Sequence, residues 1–163
     1  MDTINTLGYF LLHRLTEQRG YVGAILVVSN EGIPLEFKCT EAIKPTQIQQ
    51  SLYGEKMELY IAIKLCALPL LQAVNNKPEI LLVNEQSFLT VREEMEIPTL
   101  FVQKTGDIVE NTQSAIVFLP HSQHEADKND ELIQRSCRFD LTEPFERSKK
   151  AVTLLGEKDE RFR

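Results

Sequence analysis

The chain has 163 residues, of which 42% are hydrophobic and 26% are charged, and its formal net charge is −6. This length and composition are typical of one globular domain with a sizeable core. The negative charge argues against sequence-independent binding to nucleic acid and against an anionic membrane surface as the main partner.

The cysteines and the N-terminus give expectations about the cellular location. The chain has three cysteines, Cys39, Cys66 and Cys137. This odd number and the absence of C-x-x-C spacing favour reduced thiols in a cytoplasmic protein. No basic leader region is visible, and no apolar run approaches the roughly 20 residues that a membrane span needs. We therefore expect a cytoplasmic protein, with a single α/β domain over residues 1–156 and a charged tail over residues 157–163.

The first 39 residues predict a helix and a hairpin. Residues 3–18 carry apolar side chains at helical spacing, which predicts an amphipathic helix that Gly20 ends. Residues 22–29 form a continuous β-branched run, typical of a strand buried on both faces. Residues 33–39 alternate between apolar and polar side chains, and the turn chemistry of Asn30-Glu31-Gly32 pairs them with the preceding strand.

The rest of the chain predicts an α/β fold. Residues 46–54 predict a short helix, with a T-x-x-Q capping box at Thr46 and Gln49, and residues 56–68 predict a long buried helix. Residues 79–103 predict strand, short helix and strand, which is a parallel βαβ unit. A further strand and two helices follow. The predicted fold class is α/β, with a mixed sheet of about five strands (an antiparallel hairpin plus a parallel βαβ part) flanked by helices.

Glu36 and Lys38 form an E-x-K pair on one face of the predicted second strand. After a helix and a strand, this spacing resembles nucleases of the PD-(D/E)xK type, in which the carboxylate holds a divalent metal and the lysine stabilises charge at the phosphate. That family needs a second acid on the preceding strand, and the preceding strand has none here. Glu31 or Glu17 would have to supply the second metal-binding carboxylate. The alternative is a solvent-exposed strand face with one ion pair.

The order of hairpin and helix also resembles ribonuclease-H-like nucleases. That family requires an aspartate inside the first strand, and we place Ser29 and Asn30 at the corresponding position. The resemblance therefore implies an inactive copy.

Other site signals are weak. His121, His124 and Asp127 offer metal-ligand chemistry in a polar segment, but their spacing matches no zinc motif. Neither G-x-G-x-x-G, nor a P-loop, nor G-x-S-x-G occurs, so we expect no cofactor. A nucleic-acid contact is unlikely except through a group of basic residues near the C-terminus: Arg135, Arg138, Lys149 and Lys150.

An apolar-aromatic surface on the predicted helices gives the leading hypothesis. Ile48, Leu52, Tyr53 and Tyr60 suit a protein interface, because tyrosine combines an apolar body with a polar tip. We expect a non-enzymatic interaction or assembly subunit of a larger complex, which binds another protein or a second copy of itself as a homo-oligomer. The alternative is a metal-dependent nuclease or phosphodiesterase of PD-(D/E)xK-like or ribonuclease-H-like type, in an active or a degenerate form.

Overall fold

The structure is a computed structural model that describes residues 3–15, 20–104, 116–120, 133, 137 and 139–158. Its described strands form one six-stranded sheet in the order β3-β2-β1-β4-β5-β6. The strands are β1 (Thr6–Leu15), β2 (Gly20–Ser29), β3 (Pro34–Cys39), β4 (Ile80–Val83), β5 (Thr99–Lys104) and β6 (Ile116–Pro120). Strand β1 is antiparallel to β2 and parallel to β4, and β4 is parallel to β5. The predicted α/β class with a mixed sheet is confirmed.

A continuous helical segment follows β3. It consists of α1 (Gln47–Tyr53), a 3-10 turn (Gly54–Lys56), α2 (Met57–Tyr60), a π-helical stretch (Ile61–Ala67) and α3 (Leu68–Ala73). Between β4 and β5 lie a 3-10 turn (Gln86–Thr90) and α4 (Val91–Glu94), and α5 (Glu143–Lys158) extends two residues into the predicted tail. No helix within the described ranges is long and apolar enough to cross a membrane.

The predicted helix over residues 3–18 is wrong, because residues 6–15 form the central strand β1. Leu7 and Tyr9 enter the core on one face of the sheet, whereas Phe10 and Leu12 enter the core on the other. A strand buried on both faces needs apolar residues at successive positions, and such a run also satisfies a helical pattern. Residues 16–19 lie outside the described part.

The two sheet faces are covered by different helices. On one face, Phe10, Ile25 and Leu81 pack with buried residues of the helical segment from Met57 to Leu71. On the other face, Tyr9 lies edge-on to Phe145 of α5, with 4.9 Å between the ring centroids. Both faces of the sheet are therefore covered by apolar contacts with helices.

Three local predictions are confirmed. Strands β2 and β3 form the expected antiparallel hairpin, with Val27 opposite Glu36, and β4 and β5 form the expected parallel pair. The capping box is present: the Gln49 amide N–H donates to Thr46 Oγ1 at 3.1 Å, and the Thr46 amide N–H donates to Gln49 Oε1 at 2.9 Å.

Gly23 of β2 sets the distance between the sheet and the helical segment. A Cβ atom at this position would lie 2.4 Å from Cys66 Cβ and 2.7 Å from Cys66 Sγ. We expect Gly23→Ala to lower the free energy of unfolding by about 1–3 kcal/mol, because backbone-near atoms of Cys66 have to move. Urea unfolding measures the loss. A Gly23→Ala midpoint equal to wild type contradicts the prediction. Gly54→Ala is a comparison variant that adds strain from its positive φ of 58° without any steric overlap, because a Cβ there meets no atom within 4 Å.

Candidate functional site

An open cleft of about 470 Å³ lies where β1 ends and β2 begins. Its lining combines the ends of these strands with the start of the helical segment and consists of Arg14, Leu15, Gly20, Tyr21, Pro45, Gln50, Gly54, Glu55, Met57 and Glu58. This edge holds the carboxyl end of β1 and also that of the parallel strand β4. Crevices at the carboxyl ends of parallel strands are the usual ligand sites of open α/β sheets.

Arg14 is bonded to two carboxylates from different elements. Its Nε donates to Oε1 of Glu58 in α2 at 2.8 Å. Its Nη1 and Nη2 donate to Oε2 and Oε1 of Glu85, which follows β4, at 3.0 and 2.8 Å. Nη2 also contacts Glu58 Oε1. The guanidinium thus joins β1, α2 and the end of β4 at the cleft.

These charges shape the electrostatics of the cleft. The hydrogen bonds that Arg14 donates to Glu85, and then those to Glu58, hold the pKa of its guanidinium above the usual range, so Arg14 is always cationic. Burial raises the pKa of the Tyr21 phenol, and the nearby Glu58 carboxylate raises it further. Because Glu55 also lines the cleft, the carboxylates outnumber the Arg14 guanidinium.

The donor set does not fit a catalytic metal of the kind that the resembled nucleases use. Within the described ranges, no group of three or more His, Cys, Asp or Glu side chains converges. The two carboxylates that do meet, those of Glu58 and Glu85, both accept hydrogen bonds from Arg14. Divalent metals are bound by several oxygen ligands, and a cationic side chain between two of them opposes such binding.

The assignment of the ribonuclease-H-like aspartate position to Ser29 and Asn30 is wrong. The first strand is β1, whereas Ser29 ends β2 and Asn30 begins the following turn. Strand β1 has the sequence TLGYFLLHRL and contains no acid; its residues at the cleft are Arg14 and Leu15. The predicted helix over residues 3–18 hid this position; the signal in the sequence is a charged residue, Arg14, two positions after the buried apolar run that ends at Leu12.

Glu36 and Lys38 lie on β3, and their charged groups are 3.9 Å apart. The Glu36 carboxylate accepts the backbone N–H groups of Asn75 at 2.9 Å and Asn76 at 2.8 Å, so it caps the turn after α3. These hydrogen bonds hold the pKa of the Glu36 carboxyl below its usual range, and the bond from Asn76 lowers it more than the bond from Asn75. A catalytic role for Glu36 and Lys38 therefore stays a prediction.

The other predicted acids and ligands are scattered or undescribed. Glu31 is exposed in the turn between β2 and β3. Six further candidates lie outside the described residues: Glu17, His121, His124, Asp127, Arg135 and Arg138. Lys149 and Lys150 are exposed on α5, and Lys149 pairs with Glu146 at 3.6 Å.

The predicted apolar-aromatic residues are on the protein surface. Ile48 and Leu52 are 73% and 79% exposed, and Tyr53 and Tyr60 are 42% and 38% exposed. The two tyrosine rings contact each other, with centroids 5.0 Å apart and planes tilted by 33°. Tyr53 directly precedes Gly54, which lines the cleft, so this aromatic pair belongs to the same helical segment as the cleft wall.

The fold is similar to that of solved endonuclease V structures. Endonuclease V of Ciona intestinalis, solved with a DNA containing an inosine followed by a ribo-adenosine, is 16% identical with a TM-score of 0.44, over 81% of this chain and 56% of that one. The catalytic domain of human endonuclease V is 14% identical with a TM-score of 0.42, over 67% and 50%. The Bacillus subtilis protein is 16% identical with a TM-score of 0.42, over 66% and 48%.

The chain spans about half the length of the structures that it matches. No protein-family model matches the chain, and no curated protein is similar to it. At these identities the likeness describes the fold.

Two predictions are corrected by these structures. All of them are nucleases, which contradicts the prediction of a non-enzymatic, protein-binding complex subunit and agrees with the nuclease alternative. The sequence predicted a protein partner and no nucleic-acid partner. The Ciona structures contain DNA, so this prediction is wrong for this fold.

The cap formed by Glu36 gives a pH-dependent prediction. We expect Glu36→Ala to lower the urea midpoint at neutral pH, because two backbone N–H groups lose their acceptor. The Glu36 pKa is lowered in the folded state, so its contribution is present above the unfolded pKa of about 4.3 and is lost as the pH falls through the lower folded value. The difference between variant and wild type should therefore shrink near pH 3. Glu96→Ala, at an exposed glutamate, is the control; an equal midpoint shift for both variants contradicts the cap.

Proposed function

We propose that the chain is a degenerate nuclease-type domain of the ribonuclease-H-like kind, which binds single-stranded nucleic acid at the Arg14 cleft. The observation that supports this most directly is the convergence of Arg14, Glu58 and Glu85 beside an open cleft at the carboxyl edge of β1 and β4. This edge is where open α/β sheets bind ligands. The DNA that the Ciona protein binds, with an inosine followed by a ribo-adenosine, is a suitable first probe.

The exposed aromatic pair supports single-stranded nucleic acid as the ligand. Tyr53 and Tyr60 are 42% and 38% exposed and their rings contact each other, and Tyr53 directly precedes Gly54 of the cleft wall. Because the rings contact each other, no base fits between them, and bases stack on their outer faces. Stacking of bases on tyrosine tolerates any sequence and requires no positive charge, which suits an acidic chain.

The cleft offers hydrogen bonds to base edges. Gln50 lines it with an amide that also donates to the Pro45 carbonyl at 3.3 Å, and an amide both donates to and accepts from a nucleobase. The Glu55 carboxylate accepts from exocyclic amino groups, and the Tyr21 phenol donates. These groups bind and orient a base, while Leu15 and Met57 supply apolar contact.

Charge sets the orientation of the bound strand. The cleft carboxylates repel phosphates, so the sugar-phosphate backbone runs on the outside and the bases point inward. Few phosphate contacts release few counterions, and such binding depends weakly on salt. Arg14 neutralises part of the carboxylate charge, which lowers the repulsion that a strand meets at the cleft.

A cytoplasmic location is also part of this proposal. Cys66 and Cys137 are buried free thiols, and burial raises the pKa of each to about 11. Such thiols are unreactive at neutral pH, as in proteins of a reducing compartment.

The stacking residues can be tested with a fluorescent single-stranded oligonucleotide and anisotropy. We expect Tyr53→Ala and Tyr60→Ala each to weaken binding roughly 5- to 150-fold, since stacking contributes about 1–3 kcal/mol per base. Tyr53→Phe keeps the ring and should bind like wild type. Leu154→Ala, at an exposed leucine of α5, is the control for surface apolarity. Unchanged binding by both alanine variants refutes the stacking surface.

Salt and metal dependence test the electrostatic part. For one or two phosphate contacts, a fourfold rise in salt should weaken binding only about 3- to 7-fold. Binding should be unaffected by EDTA, and no cleavage should follow with Mg²⁺ or Mn²⁺, because Arg14 holds both carboxylates. Cleavage that Glu58→Gln or Glu85→Gln abolishes, or a loss of more than 100-fold over the same salt range, contradicts the proposal.

A further inference from the structure

The charged groups at the β1 end of the cleft are already bonded to one another. Arg14 donates hydrogen bonds through all three of its nitrogen atoms, and the acceptors are the carboxylates of Glu58 and Glu85. A ligand that used these groups would have to break bonds within the protein. Its polar contacts are therefore expected from side chains of the cleft whose hydrogen-bonding capacity is still open.

Glu55 is a carboxylate of the cleft lining with this open capacity. In the part of the chain that the structure describes, it takes part in no hydrogen bond and no ion pair, and its side chain is exposed. An ionised carboxylate is an acceptor only, and its two oxygens accept two parallel hydrogen bonds from one partner. Glu55 thus offers the cleft a pair of neighbouring acceptors.

Gln50 supplies an open donor close to this carboxylate. Its amide donates to the Pro45 carbonyl at 3.3 Å, which leaves the second N–H of the same amide for a ligand. The Gly54 amide donates to the Gln50 carbonyl, so the residue before Glu55 lies against the last turn of α1. Gln50 and Glu55 therefore belong to one turn of the chain, and both line the cleft.

Two neighbouring acceptors and one donor match the Watson–Crick edge of guanine. That edge presents N1–H and the N2 amino group as adjacent donors and O6 as an acceptor. Adenine and cytosine instead present a ring nitrogen lone pair beside their amino group. Thymine and uracil present one N–H between two carbonyls. With each of these four bases, one oxygen of a bidentate carboxylate faces a lone pair, which is repulsive.

We propose that Glu55 selects guanine among the bases that bind in the cleft, through both oxygens of its carboxylate, and that Gln50 donates to O6 of the same base. The inference rests on the proposed function, because it names the base that the same cleft accepts. Selection by a carboxylate also suits a cleft that repels phosphates, since the base is uncharged and turns its donors toward the negative side chain.

The ligand side of the test uses fluorescent oligo-dT strands with one variable central base and measures anisotropy. The guanine strand should bind roughly 10-fold more tightly than the inosine strand, which lacks only the N2 amino group, because one charge-assisted hydrogen bond contributes about that factor. Adenine should bind more weakly than inosine. A 7-deazaguanine strand keeps the Watson–Crick edge and should bind like guanine, whereas N1-methylguanine should lose the preference.

The protein side of the test removes one contact at a time. Glu55→Gln keeps the size of the side chain but replaces an acceptor by a donor, so it should bind the guanine and inosine strands equally. Glu96→Gln removes the same charge at an exposed glutamate outside the cleft lining and should keep the full preference. Gln50→Met should weaken the guanine and inosine strands by the same factor, because both bases carry O6.

The outcomes separate this inference from the proposed function. Equal binding of the guanine, inosine and adenine strands by wild type overturns the selection of guanine and leaves nucleic-acid binding in place. A guanine preference that survives Glu55→Gln, or that N1-methylation leaves intact, overturns the role of Glu55 in the same way. Absence of binding by every strand overturns the proposed function together with this inference.

Discussion

Strand β1 determines the rest of the structure, because it is hydrogen-bonded on both sides and buried on both faces. It pairs with β2 over its whole length, from Thr6 opposite Ser29 to Leu15 opposite Gly20. With the parallel strand β4 it pairs only from Leu7 to Phe10. The carboxyl half of β1 therefore extends beyond β4, and the cleft forms where this extension has a neighbour on one side only. Arg14 lies on that extension, and the chain leaving β4 returns Glu85 to it.

The helical segment completes the site because of close packing elsewhere. Gly23 has no side chain, so the backbone at Cys66 approaches β2 closely, and Cys66 is entirely buried. Two turns earlier in the same segment, Glu58 reaches Arg14. Gly54, with a φ of 58°, ends α1 and lets the chain bend into α2, which places α1 on the surface with no buried residue. The position of the helical segment against the sheet therefore determines both the close contact at Gly23 and the ion pair between Glu58 and Arg14.

Sequence patterns predicted the elements whose signal is local. The hairpin, the capping box at Thr46 and the βαβ unit each depend on turn chemistry, short spacing or alternation, and they were found. The first strand was missed because a run of apolar residues buried on both faces carries no period of two. That error hid the site, because Arg14 lies near Glu58 of α2 and Glu85 after β4 only when residues 6–15 form a strand. The convergence of Glu58 and Glu85, 27 positions apart, is set by tertiary structure and leaves no spacing signal in the sequence.

The same error changed the interpretation of the exposed aromatics. Ile48, Leu52, Tyr53 and Tyr60 suggest a protein partner when no ligand site is known nearby. In the structure, Tyr53 directly precedes Gly54 of the cleft wall and its ring contacts that of Tyr60, so the aromatic pair belongs to the same helical segment as the cleft. The proposed binding of nucleic acid by an acidic chain relies on the bases, because stacking and edge hydrogen bonds do not depend on neutralising phosphates. The Arg14 guanidinium stays protonated at every physiological pH, so its hydrogen bonds to Glu58 and Glu85 hold the two carboxylates together at this end of the sheet.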